Sequence, residues 1–398
     1  MKFINEVDIK GKRVLCRFDF NIPLDDNLNI ADDRRIRAAV PTINYALDEG
    51  AKVIIISHLG RPKGKVVENL RLIPAARRLS RLIDKEVIVE RDCIGEDITY
   101  LINTMKPKDI VFLENLRFHK EETANDDEFA RKLAAYADVY VDDAFGNAHR
   151  SHASNVGITK YVRECCAGFL VKRELNFFTN ALENPRRPLV AIIGGSKVSD
   201  KLEAIANLVK IADKIIVGGG MAFTFLKSLG LEVGSSLVDD DLIRKAQDVI
   251  KTVSQSGVRF YLPVDCVIAQ KREKSAVTKN VPVQEMIPNW MGLDIGPASI
   301  RLFSEVLSDA RTVVWNGPMG VFEIDAFSRG TYAVARMLAD SHAMTIVGGG
   351  DTDVAIQRTG ENDNISYIST GGGAFLELVE GKKLPAIEAL NESERNQK

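Results

Sequence analysis

Short apolar runs rich in β-branched residues alternate with amphipathic segments along most of the chain. In the amphipathic segments, apolar residues recur at helical spacing. Continuous apolar strands that alternate with helices are typical of parallel sheets covered by helices on both faces. The pattern therefore predicts an α/β protein built from doubly wound parallel sheets. The apolar runs lie at residues 14–20, 52–56, 87–89, 109–113 and 139–141, and then at 189–193, 215–217, 312–315, 344–347 and 367–370.

A break in this pattern separates the two series of strands. Residues 171–182 have helical spacing, and they are followed by two prolines that enclose Arg186 and Arg187. Proline interrupts helices and strands alike, so this sequence is typical of a boundary between domains. We therefore expect an N-terminal domain over 1–170, a linking helix over 171–185 and a C-terminal domain over 186–375.

Glycine follows almost every strand of the second half. Backbone N–H groups in glycine turns and at helix starts attract phosphate, because no side chain blocks the approach and the helix dipole favours negative charge. Lys197 and Lys201 add positive charge to one of these turns. The second half therefore predicts a site for nucleotide phosphates. The glycines lie at 194–195, 218–220, 317, 348–350 and 371–373.

The turn at 348–352 is the most informative of these. A strand ends in three glycines, Asp351 and Thr352 follow, and an apolar pattern at helical spacing begins. We expect Asp351 or Thr352 to cap that helix. Because an acidic residue would repel a bare phosphate, Asp351 also indicates a bridging Mg²⁺ ion. The alternative is that the glycines serve packing alone, as they do in many α/β proteins.

Charged and polar residues follow the strands of the first half. The carboxyl ends of parallel strands meet along one edge, where ligands bind. Arginine suits the bidentate capture of carboxylate or phosphate. Any one arginine alone is best explained as a solvated surface residue, but several strand-end loops carry the same chemistry, which favours a site for a small, multiply charged anion. The residues are Asp19, Asn21, His58, Arg61, Arg117 and Arg150.

Composition narrows the class of protein. The chain has 398 residues, of which 45% are hydrophobic and 27% charged, with a formal net charge of −2. This length predicts two or three domains, and the charge argues against a nucleic-acid partner. No apolar run is long enough to cross a membrane, and the first residues lack the apolar core of a signal peptide. We therefore expect a cytoplasmic protein without a membrane partner.

The cysteines and histidines give no sequence motif for a metal or a disulfide. The five cysteines show no paired spacing, and Cys165 and Cys166 are adjacent. Neither a disulfide framework nor a zinc site is predicted. His149 and His152 lack a neighbouring cluster of further ligands, so they are expected to be loop residues.

Two common nucleotide motifs are absent. No G-x-x-x-x-G-K-[ST] occurs, and G-x-G-x-x-G fails because Phe223 and Asp353 stand where a third glycine is needed. A glycine-rich half and an anion-binding half suit phosphoryl transfer, in which catalysis is mostly positioning and charge neutralisation. No general base is evident beside the anion loops. A carboxylate acceptor, already ionised at neutral pH, needs none.

The motifs resemble those of the phosphoglycerate kinase family over nearly the whole chain and in the family's order. The resemblance implies two Rossmann-like domains joined by a helix, with a hinge and a cleft between them. It implies a phosphotransferase of glycolysis and gluconeogenesis that moves a phosphoryl group reversibly between MgATP and the carboxylate of 3-phosphoglycerate, giving ADP and 1,3-bisphosphoglycerate. The matching stretches are 17–23, 57–62, 113–119, 143–151, 194–201, 293–297, 315–323, 348–352 and 370–374.

The same resemblance implies roles for single residues. Arg35 and Lys197 would be catalytic, Lys197 by following the migrating group, and Asp351 would approach Mg²⁺. Arg34 stands where the family has a smaller residue, which leaves open whether it or Arg35 points inward. Phosphoglycerate would be held by Asp19, Asn21, Arg35, His58, Arg61, Arg117 and Arg150, and the nucleotide by Lys201, Glu323, Gly349, Gly350, Asp351 and Thr352.

The resemblance also extends to organisation and partners. Residues 376–398 would pack back on the N-terminal domain, and the partners would be the small-molecule substrates of a monomer. Residues 271–289 match weakly, so no function is assigned to them. Two other classes stay open on the residues alone. A nucleotide-gated binding module would need only the second half, and a dehydrogenase would need the missing dinucleotide motif.

Overall fold

The computed structural model describes residues 1–199 and 201–395. The fold divides into two compact units. Unit 1 comprises Met1–Asn176 together with the chain from Lys383 onward, and unit 2 comprises Phe177–Lys382. Each unit contains a six-stranded sheet in which all paired strands run parallel. The predicted α/β class with two doubly wound parallel sheets is therefore confirmed.

The sheet of unit 1 places its first and fifth strands side by side. The order is β3-β4-β2-β1-β5-β6, so β2, β3 and β4 lie on one side of β1 and β5 and β6 on the other. Such a switch in strand order leaves a crevice at the carboxyl ends of the two central strands. The strands are β1 (Arg13–Phe18), β2 (Lys52–Ile56), β3 (Ile88–Val89), β4 (Ile110–Phe112), β5 (Val139–Asp143) and β6 (Glu164–Ala167).

The helices of unit 1 cover this sheet. Pro41 lies inside the first helix without ending it. The helix expected over 171–182 begins earlier and changes to a π-helical turn at Thr179–Glu183. The helices are α1 (Arg34–Asp48), α2 (Ile73–Ile83), α3 (Glu96–Thr104), α4 (Lys120–Ala124), α5 (Asp127–Ala134) and α6 (Phe169–Phe178).

The core of unit 1 lies between the sheet and its helices. Alternate residues of β1 and β2, among them Val14, Cys16 and Ile55, pack against the apolar face of α1. In α1 the residues Ile36 and Ile43 are fully buried on that face. Burial of side chains of this size contributes about 1.5–3 kcal/mol each, which fixes the strand ends that carry the polar loops.

Unit 2 repeats the same plan and adds a second, smaller sheet. The parallel sheet has the order β15-β14-β13-β7-β8-β9, with the switch between β7 and β13. Its strands are β7 (Leu189–Ile193), β8 (Lys214–Val217), β9 (Arg259–Tyr261), β13 (Thr312–Asn316), β14 (Met344–Gly348) and β15 (Tyr367–Ile368), and between β9 and β13 lie β10 (Asp265–Ala269), β11 (Lys279–Pro282) and β12 (Met291–Ile295).

The small sheet was not predicted. Strands β10, β11 and β12 form a three-stranded antiparallel sheet in the order β11-β10-β12. Strand β11 is mostly exposed, so it lacks the continuous apolar run that marks the parallel strands. A short exposed strand gives no periodic signal in the sequence.

The remaining helices complete both units. The last helix, α14 (Pro385–Arg395), belongs to unit 1, where Ala386 N–H donates to Ala148 O at 3.1 Å and the amino terminus of Met1 lies 2.5 Å from Glu394. No helix among the described residues is long and apolar enough to cross a membrane. The helices are α7 (Leu202–Leu208), α8 (Ala222–Ser228), α9 (Ile243–Ser256), α10 (Pro297–Leu307), α11 (Arg329–Ala339), α12 (Gly350–Thr359), α13 (Gly373–Val379) and α14 (Pro385–Arg395).

Candidate active site

The polar residues predicted for the first half gather at the carboxyl edge of the unit 1 sheet. Asp19 follows β1, His58 follows β2, Arg117 lies in the 3₁₀ turn after β4, and Arg150 follows β5. Because these strands are neighbours in the sheet, their loops converge at the switch in strand order. We call this group, defined by Asp19, Asn21, Arg35, His58, Arg61, Arg117 and Arg150, the anion site.

Arg35 is the arginine of the α1 start that reaches Asp19. Its Nη1 donates to Asp19 Oδ2 at 2.5 Å, and the Asp19 carboxylate is buried. Arg34 instead donates from Nε to both carboxylate oxygens of Asp32, at 2.9 and 3.0 Å. The two adjacent arginines therefore have different carboxylate partners, and Arg35 is the one beside the anion site.

His58 is buried and uncharged in this structure. Arg17 Nη2 lies 3.0 Å from His58 Nδ1. Burial lowers the pKa of His58 well below its usual value, and the charges of Arg17, Arg117 and Arg35 lower this pKa further. Arginine can only donate hydrogen bonds, so Nδ1 must accept and the imidazole proton lies on Nε2. That nitrogen is 3.9 Å from Asp19 Oδ1.

Arg117 carries a polar atom without a partner. Nη1 donates to Gly60 O at 2.8 Å, but the buried Nε makes no hydrogen bond. Burial lowers the pKa of Arg117 to about 10, and the nearby charges of Arg17 and Arg150 lower it too. A buried guanidinium with an unmade hydrogen bond costs free energy, and a bound anion would remove that cost.

The loop after β2 links three members of the anion site. Gly60 N–H donates to Asn21 Oδ1 at 2.8 Å, while Gly60 O accepts from Arg117. The next residue, Arg61, is exposed. Arg150 donates from Nε to His149 Nε2 at 3.2 Å, and burial followed by the charge of Arg150 lowers the pKa of His149 to about 4. The structure therefore places every predicted residue of this set along one edge.

A buried network behind the anion site was missed. Arg17 is fully buried in β1, and its Nε donates to Ser154 Oγ at 3.0 Å. Ser154 Oγ in turn donates to Glu122 Oε1 at 2.7 Å, and Glu122 is also fully buried. This network holds Arg17 against His58. A charged residue inside an apolar strand was the available signal for Arg17, whereas Glu122 and Ser154 gave none.

In unit 2 the strand ends of β7, β8 and β13 approach each other through glycine. Gly194 N–H donates to Asn316 O at 2.8 Å, and Gly219 N–H donates to Met319 O at 3.1 Å. A Cβ atom at Gly194 would lie 2.3 Å from Pro318 O, so any side chain there would force the backbone to shift. These turns therefore bring backbone groups together at the second switch in strand order.

The turn before α12 differs from the prediction in one respect. The helix is capped by Gly349, with a φ of 99°, and not by the side chain of Asp351 or Thr352. Thr352 is buried, and its hydroxyl accepts from Gly317 N–H at 2.8 Å, which ties this turn to β13. Gly350 and Asp351 are exposed in the first turn. Glycine displaces the expected caps because the backbone here needs a positive φ.

A cavity of about 380 Å³ lies beside these glycine turns. Its polar lining includes Asp294, Glu323 and Asp351, and Arg272 lies 3.9 Å from the Glu323 carboxylate. Arg272 belongs to residues 271–289, for which no function was predicted. We call this space the nucleotide cavity, and its apolar lining is Phe223, Leu237, Met291, Leu293, Met319 and Val321.

The lysines lie outside the residues that line this cavity. Lys197 is exposed in the loop after β7, and Lys201 precedes α7, with its N–H donating to Val198 O at 2.9 Å. The apolar walls of the cavity were also missed, because several of them come from the small antiparallel sheet and from α8. A mostly apolar cavity with a few placed polar groups is typical of ligand sites.

Comparisons with known proteins agree with this geometry. A family model described as phosphoglycerate kinase matches residues 4–382. A phosphoglycerate kinase of Geobacter sp. strain M21 is 56% identical over 393 residues, covering 98% of each chain. One from Aquifex aeolicus is 54% identical over 393 residues, covering 99% of each chain.

Solved structures give the same result. Phosphoglycerate kinase from Coxiella burnetii superposes with a TM-score of 0.88 at 40% identity, over 98% of each chain. That of Pyrococcus horikoshii OT3 superposes with a TM-score of 0.87 at 32% identity, over 99% of this chain and 100% of the other. The family model spans most of the chain and the relatives are more than half identical, so the chain belongs to the phosphoglycerate kinase family.

Proposed function

We propose that the chain performs its family's reaction with the anion site of unit 1 and the nucleotide cavity of unit 2. The reaction is the reversible transfer of a phosphoryl group between MgATP and the carboxylate of 3-phosphoglycerate. The observation that supports the acceptor assignment best is the buried, unpartnered Nε of Arg117 among other cations. Anionic oxygen is the partner that this atom lacks.

The acceptor carries a phosphate and a carboxylate. Arg35, Arg61, Arg117 and Arg150 would neutralise these groups, and His58 would donate from Nε2. Asp19 would hold Arg35 in place through the 2.5 Å contact, and Asn21 would fix the Gly60 loop. Four arginines around one small molecule suit a ligand with several negative charges.

Mg²⁺ fits the residues at the start of α12. This ion prefers oxygen ligands and is held by one or two carboxylates together with substrate phosphates. Asp351 offers an exposed carboxylate in the first turn of α12, beside backbone N–H groups suited to phosphate. Bound Mg²⁺ would neutralise phosphate charge. We expect Asp351→Asn to weaken ATP binding about tenfold with Mg²⁺ and little without it. An unchanged Mg²⁺ dependence would contradict this role.

The transfer itself forms one bond and breaks another. An acceptor carboxylate oxygen attacks the γ-phosphorus of ATP, and the bond to the β–γ bridging oxygen breaks, which leaves ADP and an acyl phosphate. The carboxylate is already ionised, so no base removes a proton. Lys197 would stabilise the charge on the moving group, and Arg35 would orient the acceptor. Glu323 would bind the ribose, and Lys201, Gly349, Gly350 and Thr352 the phosphates.

We also propose the organisation that the resemblance implies. Transfer requires the reacting atoms to approach to about 3–3.5 Å, so a hinge that closes on both substrates is expected. Scattering profiles that are identical for the apo and ternary forms would contradict closure. We further propose a cytoplasmic monomer with small-molecule partners.

The function is tested by a coupled assay with ATP and 3-phosphoglycerate, in which hydroxylamine traps acyl phosphate. Glycerol 3-phosphate is the matched control, because it has the phosphate but no carboxylate. We expect turnover and a hydroxamate with the first substrate only. Nucleotide binding without turnover would instead support a binding module, and turnover with the control would exclude a carboxylate acceptor.

A further inference from the structure

Three ligand-type side chains meet in unit 1 outside the anion site. Asp92 and Cys93 lie in the loop between β3 and α3, and His119 lies between the 3₁₀ turn Leu116–Phe118 and α4. One carboxylate oxygen, the thiol sulfur and one imidazole nitrogen all lie within 4.8 Å of one another. Among the described residues, this is the single group of three or more His, Cys, Asp or Glu side chains with that geometry.

The surrounding backbone fixes the positions of these side chains. Glu114 N–H donates to Asp92 O at 3.2 Å, which ties the loop to the chain after β4. The His119 ring lies against the Phe129 ring, with centroids 5.3 Å apart. His119 Nε2 is 2.6 Å from Asp92 Oδ1. The three side chains therefore lie together in the absence of an ion, with Asp92 and His119 in contact with each other.

The three side chains differ in their exposure to solvent. The thiol of Cys93 is fully buried, His119 is partly exposed, and the Asp92 side chain is 53% exposed. Zn–S and Zn–N distances of about 2.3 and 2.0 Å place such ligands about 3.5 Å apart. Asp92 Oδ1 also accepts from Cys93 N–H at 2.6 Å, so binding of an ion would replace the contact between Asp92 and His119 with a bond from each to the metal. Because His119 and Asp92 are partly exposed, water is available as a further ligand.

We propose that Asp92, Cys93 and His119 bind one Zn²⁺ ion, with water as the fourth ligand. Sulfur, imidazole nitrogen and carboxylate oxygen together form a ligand set that Zn²⁺ and Co²⁺ accept and Mg²⁺ does not. The site is separate from the Mg²⁺ proposed at Asp351, and it goes beyond the phosphoryl transfer. No local sequence motif indicates it, because His119 is distant in sequence from Cys93.

Binding converts the Cys93 thiol into a thiolate. The sulfur–hydrogen bond breaks, the proton leaves to solvent, and the sulfur lone pair bonds to the metal. A coordinated cation deprotonates a ligating thiol outright. One proton is therefore released from Cys93 for each ion bound.

The test is a Co²⁺ titration of the full chain, followed by displacement with Zn²⁺. Co²⁺ bound here gives the visible bands of a four-coordinate ion and a thiolate-to-metal charge-transfer band in the near ultraviolet. We expect both to saturate at one ion per chain and to vanish on addition of Zn²⁺. Co²⁺ at an oxygen-only site gives no thiolate band. Absence of that band from the wild-type titration would overturn the proposal.

Variants test whether the thiolate that binds the ion is that of Cys93 or that of another cysteine. Cys93→Ser should abolish the charge-transfer band, and His119→Gln or Asp92→Asn should weaken Co²⁺ binding by more than the roughly 10–100-fold that loss of an outer partner costs. Because Asp92 and His119 are not fully buried, their variants should fold even if Cys93→Ser does not. Cys266→Ala and Asp351→Asn are the controls and should keep the band. Persistence of the band in His119→Gln at unchanged affinity would assign the thiolate elsewhere.

Discussion

The two candidate sites would recognise negative charge by different means. The anion site of unit 1 is built from charged side chains on loops, with Arg17 and Arg117 buried and His58 kept neutral. The cavity of unit 2 is lined mostly by glycine turns and apolar side chains, with Arg272 and three carboxylates among its polar residues. A small ligand with charge at both ends offers little surface to pack against. A nucleotide offers a large base as well as phosphates, so backbone and apolar contacts suffice for it.

Building the site of unit 1 from charged side chains costs free energy, because like charges repel one another and are partly removed from water. Arg117 is held in a low-dielectric site with like charges nearby, which lowers its pKa to about 10. Backbone dipoles carry no net charge, so the glycine turns of unit 2 create no comparable repulsion. Unit 2 instead depends on close backbone approach, as at Gly194 and Gly317.

The largest expected effect comes from Lys197, a charged side chain in a unit whose proposed site otherwise depends mainly on backbone and apolar groups. Lys197 is exposed after β7 and is proposed to meet the phosphoryl group during transfer. We expect Lys197→Ala to lower kcat by about 10²–10³, which is typical for one preorganised charge stabiliser, while ATP affinity stays within a few-fold. Steady-state kinetics measures the change in kcat, and an ATP titration measures the change in affinity. A kcat close to wild type would leave unit 2 dependent on backbone alone.

A smaller effect is expected when the anion site loses its unpartnered guanidinium. Hydrogen bonds to charged groups contribute about 1.5–3 kcal/mol, so Arg117→Ala should raise the KM for 3-phosphoglycerate about 10–100-fold. The KM for ATP should not change. Arg131→Ala is the matched control, since Arg131 is exposed and pairs with Glu128 at 2.9 Å. Equal effects on both substrates would contradict a separate acceptor site in unit 1.

The glycine turns give the next comparison. Gly194→Ala would place Cβ 2.3 Å from Pro318 O and 2.5 Å from Gly317 O. We expect a loss of about 1–3 kcal/mol in the free energy of unfolding, which is typical of overpacking, together with weaker ATP binding and unchanged acceptor binding. Gly350→Ala is the control for stability, because a Cβ there has no neighbour within 4 Å. Similar stability of both variants would show that the turns are not held by close approach.

Much of this arrangement was predictable because strand ends carry both sites. An apolar run followed by Arg or Gly indicates the carboxyl end of a strand. Parallel strands bring these ends together along one edge of the sheet. The choice between Arg34 and Arg35 was not predictable. Two adjacent residues in the first turn of a helix point in different directions, and the packing of α1 decides which one faces Asp19.

The small sheet and the buried side-chain networks could not be predicted from the sequence, for two physical reasons. Strand β11 is exposed and left no periodic pattern, and the antiparallel pairing that places β10 and β12 beside the nucleotide cavity has no local signal in the sequence. Glu122 and Ser154 support Arg17 through contacts between residues far apart in the sequence, and the same holds for Cys93 and His119. Such groups become visible only when the chain has folded.

The last comparison tests whether a buried charge in unit 2 also affects stability. Asp294, in the lining of the nucleotide cavity, accepts from Gly330 N–H at 2.7 Å and Ile295 N–H at 2.9 Å. Burial nevertheless raises the pKa of Asp294 to about 7. An unfolded Asp ionises near pH 3.9, so between about pH 4 and 7 the folded protein binds the extra proton. The contribution of this group to stability is therefore complete below about pH 4 and is lost as pH rises to about 7.

Asp294→Asn should remove this loss, because the amide does not ionise. Relative to wild type, the variant should gain stability between about pH 5 and about pH 8, as measured by urea unfolding at both values. Asp363→Asn, at an exposed carboxylate, is the control and should show no such change. If the difference between Asp294→Asn and wild type is the same at both pH values, Asp294 does not take up the extra proton on folding. Asp294 would then be a buried charge in unit 2, as the arginines are in unit 1. The contrast between a site built from charged side chains and a site built from backbone groups would weaken.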